Sequence, residues 1–338
     1  MASDNTRDDL YVDDEYSAPR KRWMRRLGGG LSGRLSGGLI GRSLAVLVLL
    51  VALYYVAGAA IINTVDDDTS FATADVPPGA SRAVEAAAAL VERETDTHGW
   101  TPNDPFFLPG SILDNMPNFQ QGIVKAASRF SVEMMDHIGR LRGTSQIDGD
   151  LERAAGLLKY PGNVWVWDPS VSLAPTATSE SQYRAAVRAL RSYNSRLASG
   201  QTVFDRRGDN LMSALERIAS DLGSASAQID GHITHGPFWL FDTDVDDIFY
   251  STKGQLYAHY VILNALGQDF EQVLRERQLD GVWQQMLDGL KTGAELEPLI
   301  VIGGSPDALL LPNHLTAQGF YLLRARTQLY EVVNILLK

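Results

Sequence analysis

Two hydrophobic patterns run along this chain. From Leu44 to Ile62 nineteen consecutive residues carry no charge, and nearly all of them are apolar. At 1.5 Å per residue such a helix reaches about 28 Å, roughly one bilayer core. Beyond it, apolar positions recur every three or four residues. "SRAVEAAAALVERETD" consists of strong helix formers. Asn118 and Gln121 form a capping pair ahead of Ile123, Ala127, Phe130, Met134, Ile138 and Leu141, which share one helical face. Ser179 and Gln182 repeat the device before Tyr183, Val187, Leu190 and Leu197. Leu215, Ile218, Leu222, Ala225 and Ile229 make another stripe, and Leu322, Arg326, Leu329, Val333 and Leu336 mark the last helix. "KGQLYAHYVILNALGQDFEQVLRER" and "DGVWQQMLDGLKTGAEL" supply two more helices between them.

Only Asn163 to Asp168 and Glu297 to Gly304 read as short extended pieces, too few for a doubly wound sheet. The pattern therefore predicts a mainly α protein. A single N-terminal transmembrane helix is followed by a large all-helical extracytoplasmic domain.

Charge orients the span. Arg20, Lys21, Arg22, Arg25, Arg26, Arg34 and Arg42 precede it, and "NTVDDD" with Asp66, Asp67 and Asp68 follows. The positive-inside bias places the N-terminus in the cytoplasm and residues 63–338 on the far side. "AGA" at Ala57 to Ala59 imitates a signal-peptide cleavage site. More than forty residues precede the apolar run, however, and the run exceeds the usual signal length, which favours a retained anchor. The expected organisation is a disordered acidic cytoplasmic tail at 1–19, a basic glycine-rich neck at 20–42 and the span at 43–62. A linker at 63–80 then leads to a helical periplasmic domain at 81–338, with a division into halves near 169–175. Gly33, Gly37 and Gly41 make two overlapping small-xxx-small steps, a potential self-association face.

Composition removes several classes of function. The net charge is -11, and the far side alone carries 22 Lys and Arg against 35 Asp and Glu. That balance argues against nucleic acid as a partner. There is no cysteine, so disulfides, thiolate metal sites and cysteine nucleophiles are excluded. No motif calls for a cofactor. "FDTDVDDIFYSTKG" sets Asp242, Asp244 and Asp246 at loop positions 1, 3 and 5 of a calcium hand, but Asp247 and Lys253 stand where Gly and Glu belong. His232 and His235 lie just upstream and complete the weak metal candidates. Capping of the following helix is the plainer reading of these acids. Arg184, Arg188 and Arg191 follow helical spacing and form one basic edge that surface acids can pair.

The segment "GWTPNDPFFLPG", followed by "SILDNMPNFQQG", stands apart. Its prolines bar a regular helix or a central strand. Trp100, Phe106, Phe107, Leu108 and Ile112 have much apolar area to hide. It reads as a proline- and aromatic-rich arm whose rings tuck into grooves between helices. Asp104, Asp114 and Asn115, held by this stiffened backbone, are the weak catalytic candidates. The segment and the single span before it resemble a family of uncharacterised Gram-negative inner-membrane proteins, catalogued as domain of unknown function 2333. The resemblance implies an envelope location and no defined activity, cofactor or site residue. The leading expectation is a membrane-anchored scaffold or protein-binding module with an envelope protein as partner. A periplasmic hydrolase and a ligand-sensing domain are the alternatives.

Overall fold

The computed structural model describes residues 32–73, 76–139, 147–167, 174–235, 243–298, 300–302 and 313–338. The chain divides into one unit ending at Leu53 and another running from Tyr54 to Lys338. Helix α1 (Ser32–Ile62) crosses that boundary, so helix begins well before the apolar run and includes Gly33, Gly37 and Gly41. Its segment Leu39–Ile62 is long and apolar enough to cross a bilayer, and none of it is buried in protein. An apolar helix that the protein does not bury is what a lipid-facing span requires. Among the described residues this single helix anchors the chain to a bilayer.

Among the described residues the rest of the chain is helical, with no β-strand. Its elements are α2 (Arg82–Glu92), α3 (Asn115–Glu133), α4 (Gly149–Leu158), α5 (Ser179–Ala198), α6 (Gly208–His235), α7 (Thr243–Asp269), α8 (Glu271–Glu276), α9 (Asp280–Ala294) and α10 (His314–Leu336). α3 and α7 pack together along the centre. α2, α4 and α5 cover one side of that pair, and α6, α9 and α10 the other.

The central pair crosses at glycines. A Cβ on Gly122 of α3 would collide with the Ser251 carbonyl, and one on Gly254 of α7 would collide with the Phe119 carbonyl. Only residues without a side chain let the two backbones come this close.

The stripes read from the sequence are the buried faces. Ile123, Ala127, Phe130, Met134 and Ile138 of the α3 stripe are buried, as are Leu190 and Leu197 of α5, Leu215 and Leu222 of α6, and Leu322, Leu329 and Leu336 of α10. Leu141 lies outside the described residues, as does most of 169–175.

The helix starts differ in detail. α3 begins at Asn115, with Asp114 accepting from the Asn115 N–H, rather than at Asn118. Pro117 does not prevent this, because a first-turn proline gives up an N–H that has no helical partner. α5 is capped by Thr178, whose side chain accepts from the Ser181 N–H. α2 has the most elaborate start. Its cap Ser81 donates to Asp269 Oδ2 at 2.6 Å, and the same carboxylate accepts from the N–H groups of Arg82 and Ala83, both at 3.0 Å. Asn194 of α5 brackets the Ser81 backbone from the other side. A carboxylate on the free N–H groups of a helix start is electrostatically favourable. Here it ties α2 to the end of α7.

Candidate functional site

The chain leaving α1 does not hang free as a linker. It carries its three aspartates into the helical body. Asp66 lies 3.3 Å from Arg93 Nη1 and 3.3 Å from His98 Nε2. Asp67 pairs with Lys253 at 2.5 Å, and Lys253 also donates to the Leu296 carbonyl at 2.8 Å. The Asp68 carbonyl accepts from the Tyr257 hydroxyl at 2.9 Å. Lys253 and Arg93 are both buried, which is rare for cations unless they are fully partnered.

Arg93 is the hub. It sits where α2 gives way to a π turn, Arg93–Thr97, that widens the helix and turns both Arg93 and Glu94 inward. Its guanidinium lies between the rings of Phe71 and Tyr257, 5.0 Å from each centroid. It donates to the Tyr257 hydroxyl and the Asp66 carbonyl, and pairs with Glu94 at 2.8 Å. Burial works against the Arg93 charge, but Glu94, Tyr257 and Asp66 outweigh it and hold its pKa above normal. Burial pushes the Glu94 carboxyl upward in spite of Arg93.

Gln120 of α3 carries the network onward. Its amide nitrogen donates to Glu94 Oε2 at 3.2 Å and to the Gly99 carbonyl at 2.8 Å, while its oxygen accepts from the N–H and hydroxyl of Thr101. One continuous polar chain thus joins the exit of α1 to the proline-rich segment.

That segment splits by depth. Trp100 is buried at 6 % exposure and donates from Nε1 to the Gly162 carbonyl at 2.8 Å. Phe106 is 83 % exposed, and Phe107 and Ile112 are also open to the surroundings. The expectation that all these rings tuck into helix grooves holds for Trp100 and fails for Phe106. The three residues singled out for catalysis have different neighbours. Asp104 is half-buried near Glu180, and burial followed by the Glu180 charge pushes its pKa up to about 6. Asn103 beside it donates to Glu180 Oε2 at 2.7 Å and to the Val164 carbonyl at 2.8 Å. Asp114 caps α3 and raises the pKa of Asp247, which burial raises most. Asn115 is half-buried, and its Oδ1 accepts no hydrogen bond.

Asp244 and Asp246 stand in the first turn of α7, where acids favour helix formation. His232 lies near the end of α6, the His235 side chain and Asp242 lie outside the described residues, and Lys253 is claimed by Asp67. Among the described residues no three His, Asp or Glu side chains gather as a metal site. The basic edge of α5 meets acids of α2 and of the π turn that follows it. Arg191 grips Glu92 through two bonds of 2.6 and 2.7 Å, and Arg184 bonds Asp96.

The family model described as "Uncharacterized protein conserved in bacteria (DUF2333)" matches residues 32–238 and 232–338. The chain belongs to the DUF2333 family. The match takes in the anchor, the buried ion network and the whole helical body of this DUF2333 protein. No curated protein and no solved structure matches it.

A second polar cluster in this DUF2333 domain was hidden from sequence reasoning. His259 of α7 is fully buried, its Nδ1 has no hydrogen-bond partner, and burial with Lys125 nearby pushes its pKa down to about 4. Burial lowers Lys125 of α3 as well, against the pull of Asp221. Arg129 reaches Asp221 at 3.5 Å, and Glu133 faces His137 at 3.7 Å. In sequence these residues are ordinary helix charges. The only available signal was that His259, Lys125 and Asp221 fall near the apolar stripes.

Proposed function

We propose that this DUF2333 protein is a scaffold or protein-binding module of the Gram-negative inner membrane, with its N-terminus in the cytoplasm and its helical domain in the periplasm. The arginines before the span and the aspartates after it support that orientation. The observation that carries the binding reading is the outer face of α10. Thr316, Phe320, Leu323, Thr327, Tyr330, Asn334 and Leu337 alternate at spacings of four and three, and all are exposed. Phe320 and Leu337 reach 61 % and 64 % exposure. A seam with that alternation is what a helix presents to another helix. The occupant proposed is a helix of another envelope protein, seated along this seam. The proline- and aromatic-rich segment serves as a stiff arm at the base of the domain. Gly33, Gly37 and Gly41 offer a close-approach face for self-association within the bilayer.

A photo-crosslinking residue placed at Leu323 or Tyr330 of the full chain in intact cells tests the reading. It should yield a discrete adduct with another envelope protein, and the same probe at Gln285 of α9 should not. Adducts only between copies of the chain, or none, contradict it.

One observation favours a second reading, a periplasmic hydrolase acting on cell-wall or other envelope material. Asp104, with its pKa near 6 beside Glu180, has the character of a general acid. Asp104→Asn should then abolish release of soluble cell-wall fragments by the purified full chain and leave the α10 adduct intact. Equal release by both proteins, or none by either, removes this reading.

A further inference from the structure

We infer that the segment from Phe106 to Ile112, with the neighbouring Trp165 and Trp167, is embedded in the outer-leaflet interface of the bilayer that α1 spans. The inference rests on α1 being a bilayer span and is independent of what α10 binds. It begins with two hydrogen bonds. The Tyr54 hydroxyl donates to the Phe107 carbonyl at 3.3 Å, and the Tyr55 hydroxyl donates to the Phe106 carbonyl at 2.5 Å. Both tyrosines belong to the apolar stretch Leu39–Ile62. They precede its last residue by seven and eight positions, about 10–12 Å along a helix axis. A third contact fixes the same arrangement. Pro109 packs so closely on Gly58 that any Cβ there would collide with the proline ring.

The segment is therefore held beside the last turns of the span and not beyond them. The stretch Leu39–Ile62 comprises 24 residues. At 1.5 Å each it measures about 36 Å against a hydrocarbon core of about 30 Å, so about 3–6 Å at its end, at most roughly one turn, enters the headgroup region. Tyr54 and Tyr55 then lie about 4–9 Å on the acyl-chain side of the headgroup boundary, next to the zone where Tyr and Trp concentrate. Elements lying in the interface sink about 5–10 Å into that boundary.

Composition fits the location. Pro105 to Leu113 is nine residues without a charge, and Gly162 to Trp167 has none either. Phe107 packs edge-on to both Phe106 and Trp165, with centroids 5.5 and 5.6 Å apart. The sides of this cluster that face away from the domain are open. Ile112 is 57 % and Trp167 is 52 % exposed. Exposed apolar area of this kind is costly in water and stabilising in lipid. Buried Trp100 and Asn103 hold the two stretches together through the Gly162 and Val164 carbonyls, so the apolar tip is rigidly backed.

The missing cysteines make the test clean. Phe106→Cys and, separately, Ile112→Cys are spin-labelled in the full chain reconstituted into vesicles. Collisions with oxygen, which enters lipid, are compared with those of a water-soluble nickel chelate. Leu49→Cys in the span and Gln285→Cys on the exposed face of α9 give the lipid and water references. The inference expects both segment labels to shift their oxygen-to-nickel ratio from the Gln285 value toward the Leu49 value. A ratio matching Gln285 overturns it. Protection from both reagents also overturns it, because the segment is then covered by protein. Both side chains are exposed, so neither replacement removes a core contact, and circular dichroism of the labelled chains confirms folding.

Discussion

Arg93 and Glu94 show how much of this domain's stability is placed in a few charges. Both are buried, and each satisfies the other. Removing one partner strands the other without water, which typically costs about 3–5 kcal/mol. Arg93→Ala should lower stability by that amount, and adding Glu94→Gln should restore part of it. Urea unfolding of the four members of this cycle measures the coupling. Strict additivity would mean the pair does not act as a unit.

Two groups set opposite pH trends. The Asp104 pKa of about 6 in the folded protein lies above the unfolded value, so the folded state binds the extra proton. Asp104 therefore opposes folding most above pH 6, and the opposition fades as pH falls through 6 toward 4. His259 runs the other way. Its folded pKa of about 4 lies below the unfolded 6.5, so it weakens the fold progressively as pH falls below 6.5. Asp104→Asn should raise the melting temperature at pH 7.5 and give a smaller gain at pH 5. His259→Asn should flatten the loss of stability between pH 6.5 and 4.5. Thermal melts across that range check both, and gains independent of pH would refute the assignments.

The two aromatics that looked alike in sequence also separate at this scale. Trp100→Ala should cost about 3–5 kcal/mol, as expected for emptying a core site. Phe106→Ala in detergent should stay within about 0.5 kcal/mol of the parent, as exposed positions do. Periodicity cannot distinguish them, since an apolar ring scores the same whether it faces a helix groove or lipid.

At the scale of elements, the helices were legible because their buried faces repeat at the helical period. Ile123 through Ile138 and Leu215 through Ile229 are read off the chain and found inside. Long-range pairing was not legible. "DDD" reads as a solvated linker, yet its partners Arg93 and Lys253 are 27 and 186 positions away from Asp66 and Asp67. The π turn that aims Arg93 and Glu94 inward has no sequence signature; it stands at the end of α2, which packs against α5 and α7.

The glycine crossing of α3 and α7 was equally silent, since a glycine inside a helical pattern looks like a mere weakness. Gly254→Ala must push α3 and α7 apart and should cost about 3 kcal/mol or more. Gly156→Ala in α4, where a Cβ meets open space, should instead stabilise by up to about 1 kcal/mol. Similar melting temperatures for the two variants would contradict the close-approach account.

For the whole molecule, the sequence established an anchored helical protein, and the structure adds how the anchor is joined to the body. The exit of α1 is fastened by Asp66, Asp67 and Asp68 on one side and by Tyr54, Tyr55 and Gly58 on the other.

The central claim is that the helical domain is displayed on the periplasmic side of a membrane crossed once. The absence of native cysteines allows a direct measurement with a membrane-impermeant maleimide on intact spheroplasts. Gln285→Cys should be labelled at once, and Ser3→Cys only after the membrane is permeabilised. Labelling of Ser3→Cys in intact spheroplasts, with Gln285→Cys protected until lysis, would contradict the account.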